Sequence, residues 1–142
     1  MKKNNSYILK SFVAVCIGYM LFASCGDYDS RLHFVNKTND TLRYFWKIAP
    51  RNDSLIDSKD CDKVYVSSCS PNSEEVIPSV NGWTYEFWEH PDNILRFYII
   101  KQDSLSKYGI CKIIHRQLFI KRLDYTDREF SKANWRIVYD GK

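Results

Sequence analysis

From residue 32 onward, apolar and polar positions along the chain alternate mainly with a period of two. Leu42, Tyr44, Trp46 and Ile48 share one face and Arg43, Phe45 and Lys47 the other, the pattern of a half-buried strand. The segment Lys37-Thr38-Asn39-Asp40 separates this run from the shorter apolar stretch 32–35, which predicts a hairpin. Val64 and Val66 mark a strand over 63–67, and Trp83, Tyr85 and Phe87 alternate with Thr84, Glu86 and Trp88 as in another. The run 94–100 is apolar at nearly every position, as expected of a central strand covered on both faces. Strands are further predicted at 110–114, where Ile110, Ile113 and Ile114 are β-branched, at 118–123 and at 135–139. Pro50, Pro71, Pro78 and Pro91 fall in the segments between these runs, where a missing N–H is harmless.

One helix is expected. Thr126-Asp127-Arg128-Glu129 has capping-box spacing, with Thr126 as N-cap and Glu129 reaching back to it, and Phe130 and Ala133 then share a face. Seven or so short strands with one small helix before the last of them predict an all-β fold. The architecture expected is a single antiparallel sandwich, Ig-like or transthyretin-like, over residues 31–142. A chain of 142 residues suffices for one such domain, and its 15% aromatic content can fill the core.

The N-terminus departs from this pattern. Lys2, Lys3 and Lys10 are basic, no acid precedes Asp27, and 12–23 is an apolar run followed by Ser24 and Cys25. A basic start, a short apolar stretch and small residues before a cut predict a secretory signal over 1–24. A membrane-spanning helix needs about 20 apolar residues, more than this run supplies. The signal also changes the charge. The whole chain is formally +4, but three of its 21 Lys and Arg and none of its 17 acids lie in 1–24. The remainder carries 18 basic against 17 acidic side chains, +1, which is no footprint for nucleic acid.

The segment Leu21-Phe22-Ala23-Ser24-Cys25 resembles a lipobox, in which small residues precede a cysteine that is acylated and becomes the new N-terminus. Its place three before the cysteine holds Phe22 rather than the usual Leu. Near the other end, Thr126-Asp-Arg-Glu-Phe-Ser-Lys-Ala-Asn-Trp135-Arg-Ile-Val-Tyr139 is similar to the C-terminal portion of small Bacteroidota lipoproteins of unknown function, although Asp140-Gly141 stands where members often have Pro. The resemblance implies lipid attachment at Cys25, a tether over 25–30 and a β domain on the bacterial cell envelope, at the outer membrane. Asp27 and Asp29 in the tether partly resemble the acidic export signals that send such proteins to the cell surface. The resemblance brings no catalytic residues with it.

Of five cysteines, Cys16 falls in the signal and Cys25 is the lipid site, which leaves Cys61, Cys69 and Cys111 for the domain. An exported chain can form disulfides. Cys61 and Cys69 flank the strand expected at 63–67 and are the candidate pair; the alternative is that all three are reduced, and an odd count leaves at least one thiol in either case.

Sites for chemistry are sparse in the sequence. Asp53, Asp57, Asp60 and Asp62 lack the spacing of a calcium loop and read as a solvated face. Glu86, Glu89, His90 and Asp92 form a second acidic cluster, but His33, His90 and His115 are not paired as metal ligands would be, so no metal or cofactor is expected. Cys111 and His115 are four apart; on the strand expected there they would lie about 13 Å from each other, too far for a dyad. There is no nucleophile elbow, zincin helix or phosphate-binding glycine loop. Trp83, Trp88, Tyr85 and Tyr98 are the candidate ligand contacts if exposed, and core if they follow the habit of strand aromatics. The expected function is a non-catalytic binding or accessory module for an outer-membrane protein or a glycan. The alternatives are an envelope hydrolase with an unrecognised site and a structural subunit of an outer-membrane complex.

Overall fold

The computed structural model describes residues 28–51, 58–88 and 92–142. They form two sheets packed face to face, the expected all-β sandwich, with a helix before the last strand. Strands β1 (Asp29–Asn36), β4 (Ser73–Ser79) and β7 (Arg136–Tyr139) make one sheet in the order β4-β1-β7. Strands β2 (Leu42–Pro50), β3 (Ser67–Cys69), β5 (Asn93–Lys101) and β6 (Lys121–Tyr125) make the other, in the order β3-β2-β5-β6. All described pairings are antiparallel except β1 with β7, which is parallel. The first described strand, β1, begins at Asp29.

The run 94–100 is the central strand it was expected to be. β5 is hydrogen-bonded to β2 on one side and β6 on the other, and every residue from Asn93 to Ile100 is buried. Its alternate residues serve two cores. Leu95, Phe97 and Ile99 join Leu32, Phe34, Leu42, Tyr44, Ile77, Ile137 and Tyr139 between the sheets. Tyr98 and Ile100 join Phe45, Cys61, Ile113 and Ile114 on the outside of the second sheet. Rings set the spacing: Phe34, Tyr44 and Phe97 meet with centroids 4.9–5.1 Å apart, and Phe45 stacks on Tyr98 at 4.6 Å.

Three local expectations are corrected. The segment 37–40 turns the chain but makes no hairpin, because both ladders of β1 are occupied, by β4 and β7, and β2 enters the opposite sheet. Asn36 holds that crossing. Fully buried, it donates from Nδ2 to the carbonyls of Asp40 (2.8 Å) and Ser70 (2.9 Å) and accepts at Oδ1 from the Thr38 N–H (2.9 Å). Trp83–Trp88 is a helix, α1, rather than a strand. Trp83 and Phe87, four apart, point into the inner core, while Tyr85 and Trp88 face out. Residues 110–114 are also helical: α2 (Gln102–Tyr108) and α3 (Ile110–Arg116) lie over the outer face of β5. Ile110, Ile113 and Ile114 have helical spacing, and burial on one face outweighs the weak preference of β-branched residues for strands. Gly109 joins the two helices at φ 71°, a left-handed value that favours glycine.

The strand expected at 63–67 is displaced to β3, after a short 3-10 helix over Ser58–Lys63, and that at 118–123 to β6. β4 was not expected; it runs through Pro78, which an edge strand tolerates. The helix after Thr126 is α4 (Asp127–Lys132), and its capping box is formed: the Glu129 N–H donates to Thr126 Oγ1, and Glu129 Oε2 accepts from the Thr126 N–H at 2.8 Å. Oε2 also accepts from the Thr126 hydroxyl at 2.8 Å, and the two hydrogen bonds it receives from Thr126 hold the Glu129 carboxyl below its usual range. Phe130 then enters the inner core between Tyr125 and Trp135, at 4.5 and 5.7 Å.

The expected Cys61–Cys69 bridge does not form. Cys61 pairs with Cys111, with Cα atoms 5.0 Å apart and a sequence separation of 50. Cys69 is a buried free thiol on the inner-core side, its sulfur near the Phe34 and Ser73 carbonyls. β3 separates the two environments: Cys61 belongs to the outer cluster and Cys69 to the inner one. The sheet itself keeps the candidate pair apart.

Candidate functional site

The four candidate aromatics divide evenly. Trp83 and Tyr98 are core residues, 0% and 1% exposed. The Trp83 indole N–H donates to the Ile77 carbonyl at 3.1 Å, so its polar edge is satisfied inside the protein. Trp88 and Tyr85 are 76% and 42% exposed and neighbours on α1, with centroids 6.5 Å apart. Cys25 and the sequence 1–24 lie outside the described residues, as do Asp53, Asp57, Glu89 and His90.

The exposed pair is held in place by the first residues of the domain. Asp29 Oδ2 accepts from the Trp83 N–H at 2.9 Å, which satisfies a free donor at the start of α1. The same carboxylate takes Nε and Nη2 of Arg31 at 2.9 and 2.6 Å. The Arg31 hydrogen bond, with the main-chain donors and against some desolvation, holds the Asp29 carboxyl down at about 2. Arg31 also donates to Thr84 Oγ1 at 2.8 Å and lies over the Trp135 ring at 4.4 Å. One carboxylate and one guanidinium thereby tie β1, α1 and the approach to β7 together.

At the opposite end of the sandwich, Asp40, Thr41, Lys101, Gln102 and Asp103 line a shallow open cleft of about 360 Å³. β1 rises about 24 Å from Asp29 to Asn36, so the cleft and the aromatic pair are separated by roughly the length of that strand. The Arg43 Nε donates to Gln102 Oε1 and fixes one wall. These groups can hydrogen-bond a polar ligand, and neither an imidazole nor a thiol is among them.

The remaining candidates for chemistry are dispersed. His33 lies on the first sheet, with Nδ1 2.6 Å from Glu74 Oε1, and His115 is exposed on α3, beyond the second sheet. Although α3 is a helix and sets Cys111 and His115 one turn apart, the Cys111 sulfur is bonded to Cys61 and cannot act as a thiolate. Tyr44 is pushed up to about 12 by burial in the inner core, where its ring packs on Phe34 and Phe97. Among the described residues, no group of three or more His, Cys, Asp or Glu could hold a metal ion, and no helix is long and apolar enough to cross a membrane.

Residue type alone marks Trp88 and Tyr85 in the sequence, but not what positions them. The Asp29 contact to Trp83 spans 54 residues and leaves no local signal. Compared with known proteins, the chain matches no family model, no curated protein and no solved structure.

Proposed function

We propose that the chain is a cell-envelope lipoprotein, acylated at Cys25 on the outer membrane, whose β-sandwich is a non-catalytic binding or accessory module for a membrane protein or a glycan. The reading rests on one feature of the sequence: a basic start, a short apolar run and small residues that end at Cys25, four residues before the folded domain. Several acyl chains, at about 0.8 kcal/mol per buried CH₂, anchor a protein stably where a single chain is marginal. The Cys61–Cys111 disulfide suits the same reading, because such bonds persist in oxidising compartments outside the cytosol. The binding role is favoured over catalysis by the dispersal of the imidazoles and thiols described above.

The test is expression of the full chain in a Gram-negative host, followed by mass spectrometry of its N-terminus. The expected product begins at Cys25 and carries the added mass of a diacylglyceryl group, and Cys25→Ala accumulates as uncut, unacylated precursor. A mature protein without acyl mass at Cys25 would sink the proposal. Crosslinking in intact cells and affinity purification of the acylated form then identifies the partner, and one dominant outer-membrane protein is the expected result.

A further inference from the structure

A short tether restricts which part of a domain can meet the membrane. On the lipoprotein reading, on which this inference rests, the anchor is Cys25 and β1 begins at Asp29. Four extended residues span at most about 14 Å, and the polar headgroup layer occupies roughly 5–8 Å of that. A domain of this size is roughly 35 Å across. The surface around Asp29 is therefore pressed against the bilayer, and the far end is held off it.

That surface has the composition of an interfacial contact. Tyr28, directly before Asp29, is 67% exposed. Val80 is 66% exposed and follows Ser79, the ladder partner of Asp29. α1, whose first N–H is bound by Asp29, presents Tyr85 and Trp88 one turn apart. Exposing such side chains to water is unfavourable, and indole and phenol rings prefer the membrane–water boundary, where the ring is sheltered and the N–H or O–H still finds a partner. Among the described residues here, the Asp29 carboxylate and the Arg31 guanidinium neutralise each other. This pair also fixes α1, so the aromatics approach the bilayer on a rigid element.

We propose that the Asp29 end of the domain is a lipid-contacting surface. Trp88 and Tyr85, with Tyr28 and Val80, seat in the headgroup layer of the membrane that holds the anchor. The contact sets the orientation of the sandwich and turns the cleft at Asp40, Lys101 and Asp103 outward, where a partner in solution or on the surface reaches it.

The experiment uses the full chain purified from membranes, its N-terminus weighed, and reconstituted into phosphatidylethanolamine–phosphatidylglycerol vesicles containing a phospholipid brominated high in its acyl chains. The expected result is quenching of tryptophan fluorescence, most of which disappears in Trp88→Phe. Trp46, Trp83 and Trp135 remain in that variant, and Trp88 is exposed enough for its replacement to leave the fold intact. An acylated protein that floats with the vesicles but is not quenched, or is quenched equally with Phe at 88, overturns the lipid contact and leaves the anchor standing. Absence of acyl mass on Cys25 overturns both.

Discussion

The two faces of β5 are buried by different means. Leu95, Phe97 and Ile99 face an opposing sheet, and the helices that close that core at its margins are capped by side chains: Asp29 at α1, and Thr126 with Glu129 at α4. Tyr98 and Ile100 face α2 and α3, seven residues each, and neither has a side-chain cap at its N-terminus. Helices that short are marginal by themselves. What holds the outer pair is the apolar contact of Ile113 and Ile114 and the disulfide from Cys111 to Cys61. The inner half of the protein is thus secured by packing and capping, and the outer half depends on a covalent bond.

The largest effect is expected where the inner core is emptied. Phe97 is fully buried against Phe34 and Tyr44, and Phe97→Ala should cost about 3–5 kcal/mol. Domains of this kind have only about 5–15 kcal/mol in total. Urea denaturation should show a large fall in midpoint, with both halves melting together because they share β5. If α2 and α3 unfolded without the sheets in this variant, the inner core would not be the common foundation of the two.

Removing the disulfide should divide the halves. The bridge closes a loop of 50 residues, for which chain entropy gives about 4 kcal/mol and experience about 2–4. In Cys61→Ser/Cys111→Ser, hydrogen exchange should quicken first in α3 and the Ser58–Lys63 turn, with β1, β4 and β7 protected until global unfolding. A uniform loss of protection would mean that the outer layer is no more dependent on its staple than the rest.

The same contrast explains which elements were legible in sequence. β2 was legible from its alternation over 42–48 and β5 from an unbroken apolar run over 94–100, both long enough to mark strands that extend to nine residues each. α4 was read from a cap whose two partners, Thr126 and Glu129, are three residues apart. α1 and α3 were misread because six or seven residues fit two periods: Trp83, Tyr85 and Phe87 alternate, and Trp83 and Phe87 are also a helical turn apart. The choice was made by distant partners, Asp29 for Trp83 and Cys61 for Cys111. The turn at 37–40 was recognised, but its destination was settled by Asn36 and by the strands that had taken both ladders of β1. For the site, residue type singled out Trp88 and Tyr85 together with Trp83 and Tyr98, and only burial separated the two pairs.

The smallest expected effect concerns the cap on α1, and pH measures it. Asp29 is held at about 2, chiefly by its hydrogen bond with Arg31, from an ordinary value of 3.8. A carboxyl whose value is lowered on folding contributes stability that is complete above its unfolded value and declines as pH falls toward the folded one. The contribution of Asp29 should therefore be full at neutral pH and disappear between about 4 and about 2. Asp29→Ala removes both the acceptor for Trp83 and the partner of Arg31, and loss of a helix cap costs about 1 kcal/mol. Wild type should exceed this variant in urea stability by that margin at neutral pH, and the two curves should converge as acid protonates Asp29. Parallel curves across the acid range would show that the carboxylate charge does not hold α1. The inner core would then owe its closed margin to the burial of Trp83 and Phe87 alone, and the distinction between a capped half and a stapled half would rest on α4.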